Sequence, residues 1–498
     1  MNAPMTNAHG LGHIPLNTDT ADCIKEALIC NSSTRLQPHF FDRLPLKAGL
    51  PNMATDTSHA AGDGAENGRR PGFNVIGHLS ASSGLGNTAR LYIQMLQKLG
   101  YGVAGIDVDY DGGTERRTIE GVSLVKAGDE LPYSHSLIIV SIQLLPSLWL
   151  RRLPGLLAEG KRNVGIVFWE LPVVPKAWWP SLALFDAILT CSPFVRHAIE
   201  TAVPDVPTLH AEHPLLVTPP KTDRVSIRAR LDIPLNAFVC CTSFDLRSDY
   251  ARKNPGAAVN AFLKAFPSDS DVRLIIKTNG NADLVSISGP MKKLIELIRS
   301  DRRIILMTET VPYDEVQAIY GAADVFVSLH RAEGLGLGPM EAMLLGKLVI
   351  ATGYSGNMAY MTEQNSMPIP YRLVEPRHVN WQYKRPFAGD AASWAEADTE
   401  QAVSALRTAR SNPGFRKLLA ARGEREIRER QLAAWSGNYL MQLMNYLDAG
   451  NRPPLRKALV RQVRQMEIKD PTLRKLNLGR LLEIMRKKVS GVFCKPAG

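Results

Sequence analysis

Ser328-Leu-His-Arg-Ala-Glu-Gly-Leu-Gly-Leu-Gly-Pro-Met-Glu-Ala-Met-Leu-Leu-Gly346 is the stretch from which the fold of this 498-residue chain is read. The apolar run Val325 to Leu329 leads into it with the length and composition of a short buried strand. Gly334, Gly336 and Gly338 follow as a glycine-rich turn. Pro339 then stands where a helix starts, and Gly346 where it stops. Strand, glycine turn and short helix leave backbone N–H groups facing outward at a helix N-terminus, which suits a phosphate. Glu333 before the turn and Glu341 inside the helix frame it, eight residues apart.

The same alternation extends upstream. A strand is expected over Ala237 to Asp245, followed by Ser248 to Pro255 with the basic pair Arg252-Lys253. Helices over Ala257 to Phe266, Met291 to Ile298 and Tyr313 to Ala322 alternate with strands at Val272 to Lys277 and Ile304 to Met307. Downstream come a strand, Val349 to Thr352, and a second glycine turn, Gly353-Tyr-Ser-Gly-Asn357. Strands alternating with helices predict a parallel sheet covered on both faces.

A second series of this kind opens the chain's ordered part. Phe73-Asn-Val-Ile-Gly-His-Leu reads as a buried strand. Ser80-Ala-Ser-Ser-Gly-Leu-Gly-Asn-Thr-Ala-Arg90 reads as a turn into a helix. Gly84-Leu-Gly86 lacks the third glycine of a dinucleotide fingerprint, so it reads either as a ligand loop or as a tight turn. Strands follow at Val103 to Val108, Ser136 to Ile142, Val164 to Phe168 and Ala187 to Thr190, with a helix over Ser192 to Thr201. Asp107-Val-Asp109 reads as a solvated strand end, because no second carboxylate cluster accompanies it. Trp169-Glu170-Leu-Pro172 lies just past a strand end, where open α/β sheets place ligands. It reads either as an aromatic–carboxylate pair holding a sugar or as core aromatics capped by a surface acid.

Composition bounds the rest. The chain is too long for one core, and its 45% hydrophobic and 21% charged residues are those of an ordinary soluble protein. The net charge of +11 is no nucleic-acid signal, because thirteen Lys/Arg against three Asp/Glu fall between Arg452 and Lys495. Apolar residues among those basic ones suit an anionic membrane surface or an acidic partner, or else a solvated helix packing on the body. The six cysteines show no metal spacing and read as free thiols of a reducing compartment. No secretory signal is legible, and Ser136 to Leu150 is too short and interrupted to span a membrane. The expected location is cytoplasmic, or peripheral at the cytoplasmic membrane face. The expected boundaries are a loosely ordered segment 1–70, a first domain 71–216, a linker 217–234, a second domain 235–410, helices 411–450 and a basic helical tail 451–498.

Two doubly wound halves, a Glu-x7-Glu pair around a glycine loop and an upstream basic pair resemble the retaining glycosyltransferases of the two-Rossmann GT-B fold. Within these the chain is similar to glycosyltransferase family 4, group 1. The matching motifs are Gly84-Leu-Gly-Asn-Thr-Ala-Arg90, Trp169-Glu-Leu-Pro172, Ser243-Phe-Asp245 with Arg252-Lys-Asn-Pro255, His330-Arg-Ala-Glu-Gly-Leu-Gly-Leu-Gly338, Glu341-Ala-Met343 and Ala351-Thr-Gly-Tyr-Ser-Gly-Asn357. They cover residues 71–447, each near a strand's C-terminal end.

The resemblance implies an α/β fold of two Rossmann-like doubly wound domains facing a cleft. It assigns Glu333 to the donor-sugar hydroxyls and Glu341 to the ribose hydroxyls. Backbone N–H groups around Gly336, Leu337 and Gly338 would hold the diphosphate, and Gly334, Leu335, Gly356 and Asn357 would also bind the donor. Lys253, with Arg252 or Arg247, would neutralise it. Gly84, Gly86, Arg90, Trp169 and Glu170 would face the acceptor, or the donor phosphates in the case of the Gly84–Gly86 loop and Arg90. Lysine, arginine and helix amides then suffice for the leaving group, so no metal or other cofactor is expected. The implied partners are a nucleotide-diphosphate sugar, such as GDP-mannose or a UDP-sugar, and a glycan or lipid-linked glycan acceptor. Two rivals stay open: a nucleotide-sugar epimerase of the same architecture, and a non-catalytic nucleotide-sugar- or glycan-binding protein of an assembly complex.

Overall fold

The computed structural model describes residues 72–108, 122–125, 130–217, 222–245, 248–279, 289–376, 392–451, 453 and 456–461, all within one compact unit, Gly68–Gly498. Residues 1–70 lie outside the described part.

The first sheet contains β1 (Gly72–Gly77), β2 (Gly102–Asp107), β3 (Ser123–Leu124), β4 (His135–Ile139), β5 (Arg162–Val167), β6 (Ala187–Thr190) and β7 (Thr208–His210), in the order β3-β2-β1-β4-β5-β6-β7. The second contains β8 (Phe238–Asp245), β9 (Val272–Asn279), β10 (Ile304–Met307), β11 (Val325–Ser328), β12 (Leu348–Thr352) and β13 (Met367–Ile369), in the order β10-β9-β8-β11-β12-β13. All pairings in both sheets are parallel. Parallel strands need crossovers, and these cover both sheet faces. The strands are accordingly apolar on both sides: Phe73 and Val75 face one core cluster, Ile76 another.

In each sheet the strand order reverses once, between β1 and β4 and between β8 and β11. Ligands of open α/β sheets bind beyond the strand carboxyl ends at such reversals. The loops after β1, β8 and β11 therefore define the site. The first leads into helix α1 (Gly84–Lys98), capped by the Ser83 side chain. Helix α2 (Pro193–Ala202) follows β6.

The stretch 217–234, expected to be a linker, contains helix α3 (Arg224–Arg230). The Asp223 carboxylate accepts the Ser226 N–H at 2.7 Å, and Ile227 packs on Ala318 and Ala322. The second domain continues through α4 (Tyr250–Lys253), α5 (Pro255–Ala265), α6 (Gly289–Ser300), α7 (Tyr313–Ala322), α8 (Leu337–Leu344) and an antiparallel pair, β14 (Tyr371–Val374) with β15 (Trp394–Ala397). Helix α9 (Thr399–Ser411) follows. Residues 414–447, whose sequence reads as one helical stretch, form two helices, α10 (Pro413–Ser436) and α11 (Asn438–Asp448). Gly437 breaks it with φ 65°, and Leu99 Cδ1 leaves no room for a Cβ there. Helix α10 packs on the second domain through Leu419 and Ile427. Helix α11 packs on the first through Leu440, Leu443 and Leu447. The chain thus crosses between the halves twice.

The described start of the basic tail packs on the first domain. Arg456 is buried, donates Nε–H to Leu184 O at 2.9 Å and pairs with Asp186 at 3.1 Å, while Leu459 enters the core. Among the described residues no helix is long and apolar enough to cross a membrane.

Candidate active site

A cleft of about 460 Å³ opens where the two reversals face one another. Its second-domain wall is built by loops that arrive side by side because β8 pairs with β11. After β8, Asp249 caps α4 by accepting the Arg252 N–H at 2.8 Å. Asn254 stops that turn in the left-handed conformation, φ 49°, and its Nδ2 donates to Leu329 O at 3.0 Å. This fixes Lys253 and Arg252 against the loop after β11.

There they meet Glu333. Lys253 Nζ lies 2.6 Å from Glu333 Oε1, and Arg252 Nη1 lies 3.1 Å from Oε2 and 2.7 Å from Ala332 O. Burial pushes the Glu333 carboxyl up, but the Lys253 and Arg252 charges outweigh it and hold the group at about 2. Arg252 also faces Glu170 of the first domain at 3.7 Å, so this cluster bridges the cleft.

Past Glu333 the chain turns through Gly334, Leu335 and Gly336 into α8. Gly336 has φ 83° and its carbonyl accepts the Tyr360 hydroxyl at 2.6 Å. Leu337 and Gly338 open the helix toward the cleft, and Pro339 sits at its third position. Glu341 is the next acid along. The Tyr313 hydroxyl donates to its Oε1. Burial raises the Glu341 carboxyl to about 7, against the lowering pull of that hydrogen bond. Two glutamates on one short segment therefore sit in opposite electrostatic states, one beside two cations and one beside a neutral tyrosine.

Other expected site residues fall into three groups. Gly334, Leu335, Gly336, Leu337, Gly338, Gly84, Arg90, Trp169 and Glu170 line the cleft with Glu333, Glu341, Arg252 and Lys253. Gly356 and Asn357 stand behind the loop. Gly356 donates its N–H to Glu333 O at 2.8 Å, and a Cβ there would fall 1.9 Å from Gly334 O. Asn357 bonds His330 Nε2 at 3.0 Å and Thr352 O at 2.8 Å. Gly86 packs under its turn, donating to Ser83 Oγ at 3.1 Å. Arg247 and Asp109 lie outside the described residues.

Two expectations change in substance. Trp169 is only 1% exposed, packs in the first-domain core and donates its indole N–H to Val173 O at 2.8 Å, so its ring is no stacking platform. Arg90 donates from Nη1 to Leu79 O at 2.7 Å and Ala81 O at 3.0 Å, which commits that nitrogen to the shape of the first-domain turn. The Asp-x-Asp pairs of the chain, Asp107–Asp109 and Asp269–Asp271, have side chains engaged within the fold where they are described. Asp107 accepts from Ser80 Oγ at 2.5 Å, and Asp269 and Asp271 both pair with Arg410. Among the described residues no group of three or more His, Cys, Asp or Glu is placed to hold a metal ion.

The residues missed from sequence are Tyr313, Lys277 and Ser192. Lys277 lies near the end of β9 and is buried on the cleft, its Nζ donating to Thr278 O at 2.6 Å and Glu309 O at 2.9 Å. A lysine closing the apolar run Val-Arg-Leu-Ile-Ile was a legible signal. Ser192 Oγ donates to Gly334 O at 2.7 Å across the domain boundary, which no local pattern announces.

Residues 252–380 match the family model of the glycosyl transferases, group 1. The fold is GT-B. The matched stretch begins at Arg252 and spans both glutamates, so the match falls where the second-domain wall of the site is built. The chain is 25% identical over 215 residues to the lipopolysaccharide core biosynthesis mannosyltransferase LpsB of Rhizobium meliloti, a match that covers 43% of this chain and 57% of that relative. Among solved structures it resembles sucrose-phosphate synthase of Thermosynechococcus elongatus, with TM-score 0.57, 14% identity, 76% of this chain and 100% of that one. It also resembles Anabaena HepE, solved with UDP and glucose, with TM-score 0.55, 13% identity, 76% of this chain and 100% of that one. At these identities the two structures bear on the fold alone.

Proposed function

We propose that this GT-B chain transfers a sugar, with retention at the anomeric carbon, from a nucleotide-diphosphate sugar to a hydroxyl of a glycan or lipid-linked glycan in the synthesis of a surface polysaccharide or glycoconjugate. The observation that carries the reading is the order along one cleft wall. Glu333 with its two cations comes first, then the glycine turn and helix N-terminus, then Glu341. A sugar, a diphosphate and a ribose fit that order from one end to the other.

In the reaction the bond from the anomeric carbon to the diphosphate oxygen breaks, and its electron pair stays on the diphosphate. Lys253, Arg252 and the first N–H groups of α8 supply positive potential for the charge that develops there. Glu333, held ionised, accepts hydroxyl hydrogen bonds from the donor sugar. The acceptor oxygen bonds to the same face of the anomeric carbon, and its proton passes to the departing phosphate oxygen. Glu170, facing Arg252 from the first domain, orients the acceptor. Positive potential from these groups makes a metal unnecessary, and turnover unchanged by excess EDTA is the expected result.

A thermal-shift screen of UDP-, GDP- and ADP-sugars tests the reading. A donor at a hundredfold excess over its dissociation constant stabilises by about 2.7 kcal/mol. A chain shifted by none of them, and cleaving none, is not this enzyme. Transfer to an added glycan acceptor separates transferase from epimerase. The relative LpsB is named as a mannosyltransferase of lipopolysaccharide core biosynthesis, which supports a nucleotide-linked mannose donor such as GDP-mannose and a lipid-linked acceptor. The basic tail would then hold the enzyme at the cytoplasmic membrane face. Equal flotation with anionic liposomes, with and without residues 462–498, refutes that.

A further inference from the structure

Ser355 has φ 77° and ψ −146°, a region that essentially only glycine enters. Among the described residues three non-glycines have positive φ. The other two, Asp232 and Asn254, are of the types enriched there. Glycine stands at 353 and 356 of the same turn, so a serine at 355 needs a reason.

The side chain supplies one. Ser355 is 8% exposed, and its Oγ accepts the buried N–H of Glu333 at 2.8 Å while donating to Tyr354 O at 2.5 Å. The next residue, Gly356, donates its N–H to Glu333 O at 2.8 Å. Consecutive residues of one turn thus hold both polar groups of the Glu333 residue's backbone. The turn is itself fixed: Tyr354 packs edge-on against Phe194, at 5.5 Å between centroids, and against Tyr371 at 5.0 Å. Glu333 carries its carboxylate to Lys253 and Arg252 from this anchored backbone. An alanine or glycine at 355 leaves a buried N–H with no hydroxyl to meet it, and the peptide can rotate.

We infer that Ser355 is a positioning residue: its strained backbone sets the hydroxyl that fixes the Glu333 peptide and so aims the Glu333 carboxylate at the donor sugar. The inference rests on the reading of Glu333 as the donor-sugar ligand.

Full-length native chain, Ser355→Gly and Ser355→Ala are compared in melting temperature, in affinity for the free nucleoside diphosphate, and in kcat and KM with the nucleotide sugar that the native chain cleaves. Ser355→Gly relaxes the backbone against the lost hydrogen bond to the Glu333 N–H, so it should melt close to native and bind the nucleoside diphosphate within about twofold, yet lose about tenfold or more in kcat. Ser355→Ala should lose kcat alike and melt below Ser355→Gly, since it keeps the strain. Native-like kcat in Ser355→Gly overturns the inference. So does a parallel loss of melting temperature, nucleotide affinity and kcat, which marks a purely structural serine. A native chain that binds the nucleoside diphosphate but handles no sugar donor overturns the reading of Glu333 beneath it.

Discussion

Donor affinity should depend on pH through Glu341. The carboxyl is buried among neutral groups: Tyr313 donates to it, and Tyr320 and Tyr360 lie within its field. Burial lifts it to about 7 from the usual 4.5. A ribose hydroxyl donates best to the ionised form, so binding should favour deprotonation. Below pH 7 each unit of acidity then weakens donor binding by up to tenfold, or about 1.4 kcal/mol. Above about pH 8 affinity should level off. Stability of the free protein runs the other way. The folded state keeps a proton that the unfolded chain releases, so this contribution is complete below pH 4.5 and lost as pH rises to about 7. The span corresponds to on the order of 3 kcal/mol. Titration calorimetry with an intact nucleotide sugar suits the test, because its diphosphate diester has no ionisation in this range. Glu341→Gln should flatten the slope and cost ~1.5–3 kcal/mol of affinity at pH 8, the worth of a charged hydrogen bond. Tyr313→Phe removes the bond that pulls the carboxyl down, so its inflection should move to higher pH. A native affinity flat from pH 6 to 8, or the same slope in Glu341→Gln, refutes the assignment.

Other outcomes follow from the same geometry. Lys253→Ala should lower kcat more than melting temperature, measured side by side, because Arg252 remains on Glu333; equal losses mark Lys253 as structural. Glu333, held at about 2, contributes stability that is complete above pH 4.5 and lost as pH falls toward 2, on the order of 3 kcal/mol. Glu333→Gln should therefore shrink the acid-induced drop in melting temperature over that window. Gly437→Ala places a Cβ at positive φ against Leu99, and should destabilise by about 1–3 kcal/mol in urea unfolding without touching donor affinity.

What was legible in the sequence is what local spacing determines. Strand, glycine turn and helix around Glu333 and Glu341 are written in contiguous residues, and β6, β10 and α7 lie where the apolar periods put them. Buried parallel strands are easy to see because both faces are apolar. Whether an aromatic beyond a strand packs in the core is not local, and Trp169 packs among first-domain core residues from several elements. The helix pattern over 414–447 runs through Gly437 unbroken, since a glycine inside a helical period costs only ~1 kcal/mol and does not announce a break. At the break the glycine lies against Leu99, more than three hundred residues earlier. The helix at Arg224–Arg230 hid behind Pro219-Pro220, although Asp223 before it is a helix-start signal.

The two glutamates make the larger point about how this site is set. Their spacing puts them on one segment, but their states come from what other strands deliver. The loop after β8 brings two cations to Glu333, and the start of α7 brings an uncharged hydroxyl to Glu341. A carboxylate that is always ionised suits a fixed contact to sugar hydroxyls beside a charged leaving group. One that ionises near neutrality would couple its charge to the arrival of a ribose, since a bound hydroxyl stabilises the ionised form. The strand order β10-β9-β8-β11 decides which glutamate meets which neighbour, because it sets the Lys253 loop beside Glu333 and, through β9, keeps that loop away from the β10–α7 corner that carries Tyr313. Sheet topology thus divides the work between two identical side chains that the sequence alone presents as a pair.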